Sequence, residues 1–435
     1  MSARAAKIED APEEVLLDTL QRNSYAYFQE MRLANGLVPD KSSPDSPVSI
    51  AAVGLGITAT LVAVSRGFVS RRDGATHALQ AIRFFERCAC GPEADATGYR
   101  GFFYHFLDRD TGRRTWGSEL SSIDTALLVA GFLSAAAFYD RDDELEATVR
   151  TRAVALYDRI DWRWMHDGGP LTRHGWKPEG GFLPYRWGGY SEALLLYVLA
   201  LGSDTHPVPP EAYDAFTDGY HWKTIYGHEY VYAGPLFIHQ LPQCWLDLRG
   251  LADRALAGRG VDYFELSRRA TLVQQEYAVR NPREFAHYGR HHWGITASDG
   301  PGPVVREVDG RRLKFFGYTA RGAPYGPDDG TIAPWGAVSS LPFAPEVVLP
   351  TIRRFHHDDI GADGRPFGFE ATVNFTFPTE DGCWRSPCNF GLHQGPVVSM
   401  PEHHRPGLVW ELRRRSAPVV RGLRRAGFTG GWLEG

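Results

Sequence analysis

Val48–Arg66 reads VSIAAVGLGITATLVAVSR and carries no charge before its closing arginine. Apolar residues fall on every side of a 3.6-residue repeat, so a helix built from this stretch has no face for water. It must be buried on all sides, among other helices. Ser121–Tyr139 and Ser191–Leu201 have the same all-round apolar character. Between and around them lie half-polar patterns: Pro12–Arg32, Asp73–Cys88, Asp142–Asp158, Pro210–Tyr220 and Asp262–Arg280, with a mixed stretch at Gly234–Leu256. Buried and half-exposed helices in alternation predict an all-α architecture of two concentric layers.

The chain has 435 residues, is 43% hydrophobic and bears a formal net charge of -5, which permits a large core and gives no basic bias toward nucleic acid. No low-complexity linker interrupts it and no repeat is evident. The reading is one domain over 1–435, with a short N-terminal extension to about residue 12 and a basic C-terminal helix over about 408–428. The five cysteines (Cys88, Cys90, Cys244, Cys383 and Cys388) fit neither a zinc spacing nor a full disulfide framework. The N-terminal segment has no apolar core of a signal peptide, and no long apolar run follows, so a cytoplasmic protein without membrane partners is expected. Nothing in the composition fixes an oligomeric state.

Long loops separate the helices: Thr97–Ser118, Trp162–Gly189, Tyr288–Ala333 and Phe367–Gly395. Their Trp, Tyr and Phe content argues for order. Two contain hairpin-like pieces, FFYHFLDRDTGRRTW at Phe102–Trp116 and VVREVDGRRLKFF at Val304–Phe316, with DTG and DG as turn residues. Two carboxylates stand where such a loop enters an apolar helix: Asp124 in WGSELSSIDTALL and Glu192 in RWGGYSEALLLYVLALG. Each has a structural explanation. Ser121-x-x-Asp124 fits a capping box, and an acid in a first turn favours the positive end of the helix dipole by roughly 0.3–1 kcal/mol. Each also has a functional one. If the apolar helices run parallel as an inner ring, their first turns gather at one face, and acids there converge on one cleft. Cleaving a glycosidic bond by acid and base requires such a pair.

The motifs ELSSIDTALL, GWKPEGGFLPYRWGGYSEALLLYVLALGS, YVYAGPLFIHQLPQCWLDLRG, HWGITASDGP, YGPDDGTIAPWGAVSSLPFAPEVVLPTI and GFEATVN occur in this order. In them the chain, over roughly Leu16 to Gly407, resembles the glucoamylase-like family that contains bacterial endo-β-1,2-glucanases and a central domain of cyclic β-1,2-glucan synthases. The resemblance implies an (α/α)6 toroid with small β-hairpins in the cleft loops, action on β-1,2-glucan or its oligosaccharides with inversion, and no metal or other cofactor. It assigns the general acid to Glu192 and places Asp124 in the cleft, with Glu119 and Glu370 as further candidates for the partner carboxylate. Arg186, Trp187, Tyr190, Gln240, Trp293, Asp299 and Trp335 are expected to line that cleft as substrate-binding residues.

Two motifs depart from the family pattern. Ala371 stands where G-F-x-D-A-F-N has its Asp, one position from Glu370, and Leu241-Pro242-Gln243 follows FIHQ in place of Ser-His. A β-1,2-glucan transglycosylase, or a glycan-binding relative that has lost its base, is therefore the alternative. A terpene cyclase is disfavoured because the chain lacks a DDxxD helix. Of the remaining polar clusters, His291-His292 and His356-His357-Asp358-Asp359 read as solvent-exposed, Asp328-Asp329-Gly330 as a turn, and the arginines 413–415, 421, 424 and 425 as a solvated helix face.

Overall fold

The computed structural model describes residues 7–358, 360, 367–380, 382–405 and 407–434; Asp359 lies outside them. Among the described residues, fifteen α-helices carry the fold. They are α1 (Glu13–Glu30), α2 (Ile50–Ser65), α3 (Arg71–Arg87), α4 (Ser122–Phe138), α5 (Glu144–Asp158), α6 (Trp162–His166), α7 (Ala193–Gly202) and α8 (Glu211–Asp218). Then come α9 (Phe237–Gln240), α10 (Tyr263–Arg280), α11 (Pro334–Val338), α12 (Pro345–His357), α13 (Gly391–His404), α14 (Leu408–Arg414) and α15 (Ala417–Arg425). Among the described residues the strands are short and form two- and three-stranded sheets. No described helix is long and apolar enough to cross a membrane.

The expected alternation of burial is present. Every residue of α7 is buried, as are Ile50–Ala63 of α2 and nearly all of α4 and α13. Helices α1, α3, α5 and α10 bury one stripe each, for example Leu79, Ile82 and Phe85 on α3. The buried helices touch in a closed cycle. Helix α2 packs on α4, α4 on α7, and α7 on the 3-10 turn that continues α9. Gln240 of α9 donates to the Gly336 carbonyl (2.6 Å) and to Ser340 (2.7 Å) at α11, α11 packs on α13, and α13 returns to α2. The half-buried helices lie outside this cycle, with α3 against α2 and α4, α10 against α9, α12 against α11, and α1 against α13 and α2.

Glycine sets the crossing of α2 and α4. A Cβ on Gly54 of α2 would lie 2.3 Å from the Leu127 carbonyl oxygen, and one on Gly131 of α4 would lie 2.3 Å from that of Gly54. The two backbones therefore meet with no side chain between them.

Several expectations are corrected. Gly234–Leu256 is not a long helix: α9 has one turn and passes into a 3-10 turn, Leu241–Cys244, because Pro242 has no N–H to donate and its ring crowds the carbonyl four residues back. Helix α11 follows directly on, and α13 begins within, segments read as loops, and α12 forms where the sequence reading assigned no element; α11 and α12 open with proline at a first-turn position, where a missing N–H costs nothing. The basic C-terminal segment forms two helices, not one solvated helix. Arg413 is buried, while Arg421 and Arg425 donate to the Gly202, Leu201 and Ser203 carbonyls at the end of α7, which have no partners within the helix.

Val304–Val308 and Arg311–Phe315 form the expected hairpin, with Asp309 and Gly310 both at positive φ as a two-residue turn of this kind requires. The Phe102–Trp116 piece is only partly one. Leu107 bridges Arg114, but Phe102–Phe103 pairs with Gly98–Tyr99, and Phe106–Leu107 pairs with Val48–Ser49 at the head of α2. His292 is buried beside Phe355, its Nε2 2.8 Å from Asp358, so it is not solvent-exposed. Asp328 and Asp329 are likewise buried. Asp328 accepts from Tyr277 and Tyr288, and Asp329 forms a two-point ion pair with Arg321 (2.7 and 2.9 Å).

Candidate active site

The loops before α2, α4 and α7 bring their first turns to a cavity of about 410 Å³. Asp40, Lys41 and Ser49 reach it from the α1–α2 connection, and His105, Phe106 and Trp116 from the loop before α4. Asp124 and Glu192 open on it from the starts of α4 and α7. Phe237, Leu241, Tyr318, Trp335 and Phe390 complete much of the wall. Trp116 and Tyr318 are the exposed aromatic faces at 65% and 50%, whereas Trp335 is 4% exposed and stacks on His393 at 4.7 Å. The Trp335 Nε1 and both His393 ring nitrogens find no hydrogen-bond partner among the described residues. Flat aromatic surface with few fixed polar atoms suits the apolar faces and hydroxyl edges of a sugar ring.

The two acids differ in environment. Ser121 caps α4 by accepting from the Asp124 N–H (3.1 Å) and donates its hydroxyl to Asp124 Oδ2 (2.5 Å). The capping explanation thus holds for Ser121, but the Asp124 carboxylate does not complete the box. Its Oδ1 instead faces His105 Nε2 at 3.6 Å. Glu192 occupies the N-cap position of α7 and makes no side-chain capping bond. Burial against the apolar start of α7 pushes its carboxyl up to about 7; its own backbone N–H pulls it down, and the Asp124 charge adds to the rise. Near neutrality Glu192 can hold a proton, as a general acid must.

Around them stand residues that sequence reasoning did not single out. Burial raises Asp40 to about 6, with Asp124 adding to the rise and Lys41 and His105 opposing it. His105 Nδ1 lies 3.1 Å from Glu119 Oε1. Burial alone would lower this imidazole, but Asp124, Glu119 and Asp40 outweigh it and lift it to about 9. His105, Glu119 and Asp124 each offer one ligand atom within 4.8 Å of the others, spacing that could hold a metal ion. In this trio the His105 ring stands between the two carboxylates, 3.1 Å from Glu119 and 3.6 Å from Asp124.

Not all the expected residues gather here. Asp124, Glu192 and Trp335 line the cavity. Glu119 stands behind His105. Trp187 stacks on His174 at 3.8 Å and donates to Ser122 Oγ at 2.9 Å, which places it at the head of α4. Asp299 is half-buried and accepts from Ser386 at 3.4 Å. The others do not line the cavity. Glu370 is buried outside the cavity and pairs with Arg385 at 3.6 Å. Trp293 is fully buried and donates to Thr351, and Gln240 is spent on the α9–α11 contact. Arg186 donates to the His166 and Leu171 carbonyls and pairs with Asp167. Tyr190 packs among Tyr220, His239 and Tyr263. Arg186, Gln240 and Trp293 use these bonds to fix the loops and helices around the cavity.

A largely helical chain whose buried helices present acids to an aromatic cavity belongs, by its sequence match over residues 184–417, to the Glycoamylase family, described as "Putative glucoamylase". It is 25% identical over 453 residues to an exo β-1,2-glucooligosaccharide sophorohydrolase (non-reducing end) from Parabacteroides distasonis. That alignment covers 95% of this chain, and the chain spans 58% of the length of the relative. A crystal structure of a Bacteroides uniformis protein with the same description as the family superposes with a TM-score of 0.84 at 28% identity, covering 98% of this chain and 99% of that one. The fold is also that of an endo-β-1,2-glucanase from Chitinophaga pinensis solved with sophorotriose and glucose, at a TM-score of 0.83 and 24% identity, over 97% and 100% of the two chains.

Proposed function

We propose that the protein is a glycoside hydrolase that cleaves β-1,2-linked glucan or its oligosaccharides by general acid–base catalysis within one (α/α)6 toroidal domain. The toroid reading is supported by the closed cycle α2–α4–α7–α9–α11–α13 and by the half-buried helices that alternate with it along the chain. The linkage is supported by the sophorohydrolase name of the Parabacteroides relative. The observation that carries the chemistry is the pairing of Glu192, held up to about 7, with Asp124 on one aromatic-walled cavity.

In this reading a glucan chain lies against Trp116, Tyr318 and Trp335. Protonated Glu192 gives its proton to the glycosidic oxygen as the bond to the anomeric carbon breaks. Asp124 takes a proton from the water that attacks the same carbon from the opposite face, so the product is inverted and each carboxyl group ends in the other's initial state. Solvent then restores both. Inversion calls for carboxyl groups about 6.5–9.5 Å apart, leaving room for that water.

Incubating the purified protein with linear β-1,2-glucan and with β-1,3- and β-1,4-glucans tests this reading. New reducing ends from the β-1,2 polymer or its oligosaccharides alone are expected. Cleavage confined to another linkage would overturn the substrate assignment, and binding without cleavage would favour the glycan-binding alternative.

A further inference from the structure

We propose that Cys88 and Cys90 form a redox-active dithiol, which a low-molecular-weight disulfide such as oxidised glutathione converts reversibly to an intrachain Cys88–Cys90 disulfide. The two thiols belong to the sequence Cys88-Ala89-Cys90, where α3 ends. Cys88 is the C-cap of that helix and leaves it in an extended conformation (φ -63°, ψ 160°). The turn so formed brings the two Sγ atoms to 3.6 Å, within hydrogen-bonding distance for sulfur. An S–S bond is about 2.0 Å long, so closure asks for only about 1.6 Å of further approach. The segment around the pair is braced. The Cys88 N–H donates to the Phe84 carbonyl (2.9 Å), and its thiol donates to the Phe85 carbonyl (3.3 Å). Further on, the Ala89 carbonyl accepts from the Thr97 N–H (2.7 Å) and the Gly91 N–H donates to the Gly98 carbonyl (2.9 Å). Cys90 is thereby laid against the strand that starts at Gly98. Two thiols held together in this way meet by an intramolecular step.

The pair is asymmetric, and the asymmetry assigns the roles. Cys90 is exposed and Cys88 is half-buried; of the other cysteines Cys244 is buried and Cys383 and Cys388 are half-buried. The hydrogen bond with Cys88 holds the Cys90 thiol below its usual range; burial opposes this, and the Arg159 guanidinium at the end of α5 adds to it. The same bond, together with burial, pushes Cys88 up. A thiolate, not a thiol, attacks a disulfide, so Cys90 exchanges first. Its Sγ attacks one sulfur of the incoming RSSR, that S–S bond breaks, a Cys90–S–S–R mixed disulfide forms, and RS⁻ leaves to take a proton from solvent. Cys88 then gives its proton to solvent and attacks Cys90 Sγ, expelling the second RS⁻. The two cysteines have lost two electrons and two protons, and one RSSR has become two RSH. Excess RSH drives the same steps backwards. Neither cysteine lines the cavity, so the exchange consumes no group of the proposed acid–base pair.

The test treats the folded, full-length chain with oxidised glutathione, blocks the remaining thiols with iodoacetamide and maps the peptide spanning residues 88–90 by mass spectrometry, with Cys88→Ser and Cys90→Ser alongside. The wild-type peptide should be lighter by two hydrogens, unalkylated and free of glutathione, and it should become fully alkylatable again after reduction. Cys88→Ser should stop with glutathione on Cys90, because no thiol remains to displace it. Cys90→Ser should react about tenfold more slowly, since its remaining thiol is half-buried and protonated. A wild-type peptide whose two sulfurs both stay open to alkylation would overturn the proposal. So would a wild-type chain that stops at a stable glutathione adduct on Cys90, because the second thiol would then fail to resolve it. A Cys90→Ser variant that reacts as fast as Cys88→Ser would overturn the assigned roles. The wild-type map decides the matter even where a serine variant fails to fold, and no readout depends on cleavage of a glucan.

Discussion

Replacing Glu192 with Gln removes a proton donor and leaves the shape of the side chain. The structure fixes what this does to stability as well as to rate. Burial lifts the Glu192 carboxyl from an ordinary 4.5 to about 7. That difference is about 2.5 units, which at about 1.36 kcal/mol per unit corresponds to at most about 3.4 kcal/mol. The sign follows from which state ionises first. Below pH 4.5 both folded and unfolded chains hold the proton, and Glu192 costs nothing. Between pH 4.5 and 7 the unfolded chain ionises while the folded one does not, so stability falls as pH rises, and above 7 the full penalty remains. Gln has no such penalty. Urea unfolding should therefore give matching midpoints for wild type and Glu192→Gln at pH 4 and a more stable variant at pH 8. The variant should hydrolyse β-1,2-glucan about 10²–10⁴-fold more slowly. A side chain that capped α7 would behave in the opposite way, losing about 0.5–2 kcal/mol on substitution. A variant that is less stable at pH 8 and fully active per folded molecule would refute the reasoning.

The wild-type kcat should decline as pH rises through about 7, when Glu192 loses its proton, and an activity that still climbs at pH 9 would exclude it as the acid. Gly54→Ala forces a methyl group to 2.3 Å from a backbone oxygen where α2 crosses α4. It should cost at least about 1–3 kcal/mol, read as a lowered melting temperature, whereas an unchanged melt would mean the two helices are not in such contact. Asp329→Ala leaves the buried Arg321 charge without its partner and should cost about 3–5 kcal/mol in denaturant unfolding, with activity retained per folded molecule.

The parts of the fold legible in the sequence are those dominated by burial. Helices α2, α4 and α7 declare themselves because a segment apolar on every side has only one place to go. Helix α13 is equally buried but carries Pro396 and Pro401, and a pattern that contains proline does not read as a helix until packing on α2 and α1 holds it. The error at Gly234–Leu256 has the converse cause, an apolar content that masks the local veto of Pro242. At the site, Glu192 and Asp124 were legible because each stands at the border between an aromatic loop and an apolar helix. Asp40 and His105 were not, since neither the α1–α2 connection nor the short strand at Phe106 carries a signal of its own. They reach the cavity only because Val48–Ser49 pairs with Phe106–Leu107 and draws the two loops together. Large aromatics and amides serve a wall and its support equally well; here Trp293 donates to Thr351 and Gln240 to the Gly336 carbonyl, and neither lines the cavity.

The central claim is that Glu192 protonates the glycosidic oxygen of a β-1,2-linked glucan in the cavity bounded by Trp116, Tyr318 and Trp335. A crystal structure of the Glu192→Gln variant soaked with a β-1,2-glucooligosaccharide tests it most directly. The account predicts a glycosidic oxygen within hydrogen-bond reach of the residue 192 amide, with the Asp124 carboxylate on the far side of the adjoining anomeric carbon. An oligosaccharide bound with its linkages away from residue 192, or with Asp124 and residue 192 on the same face of the sugar, would contradict it.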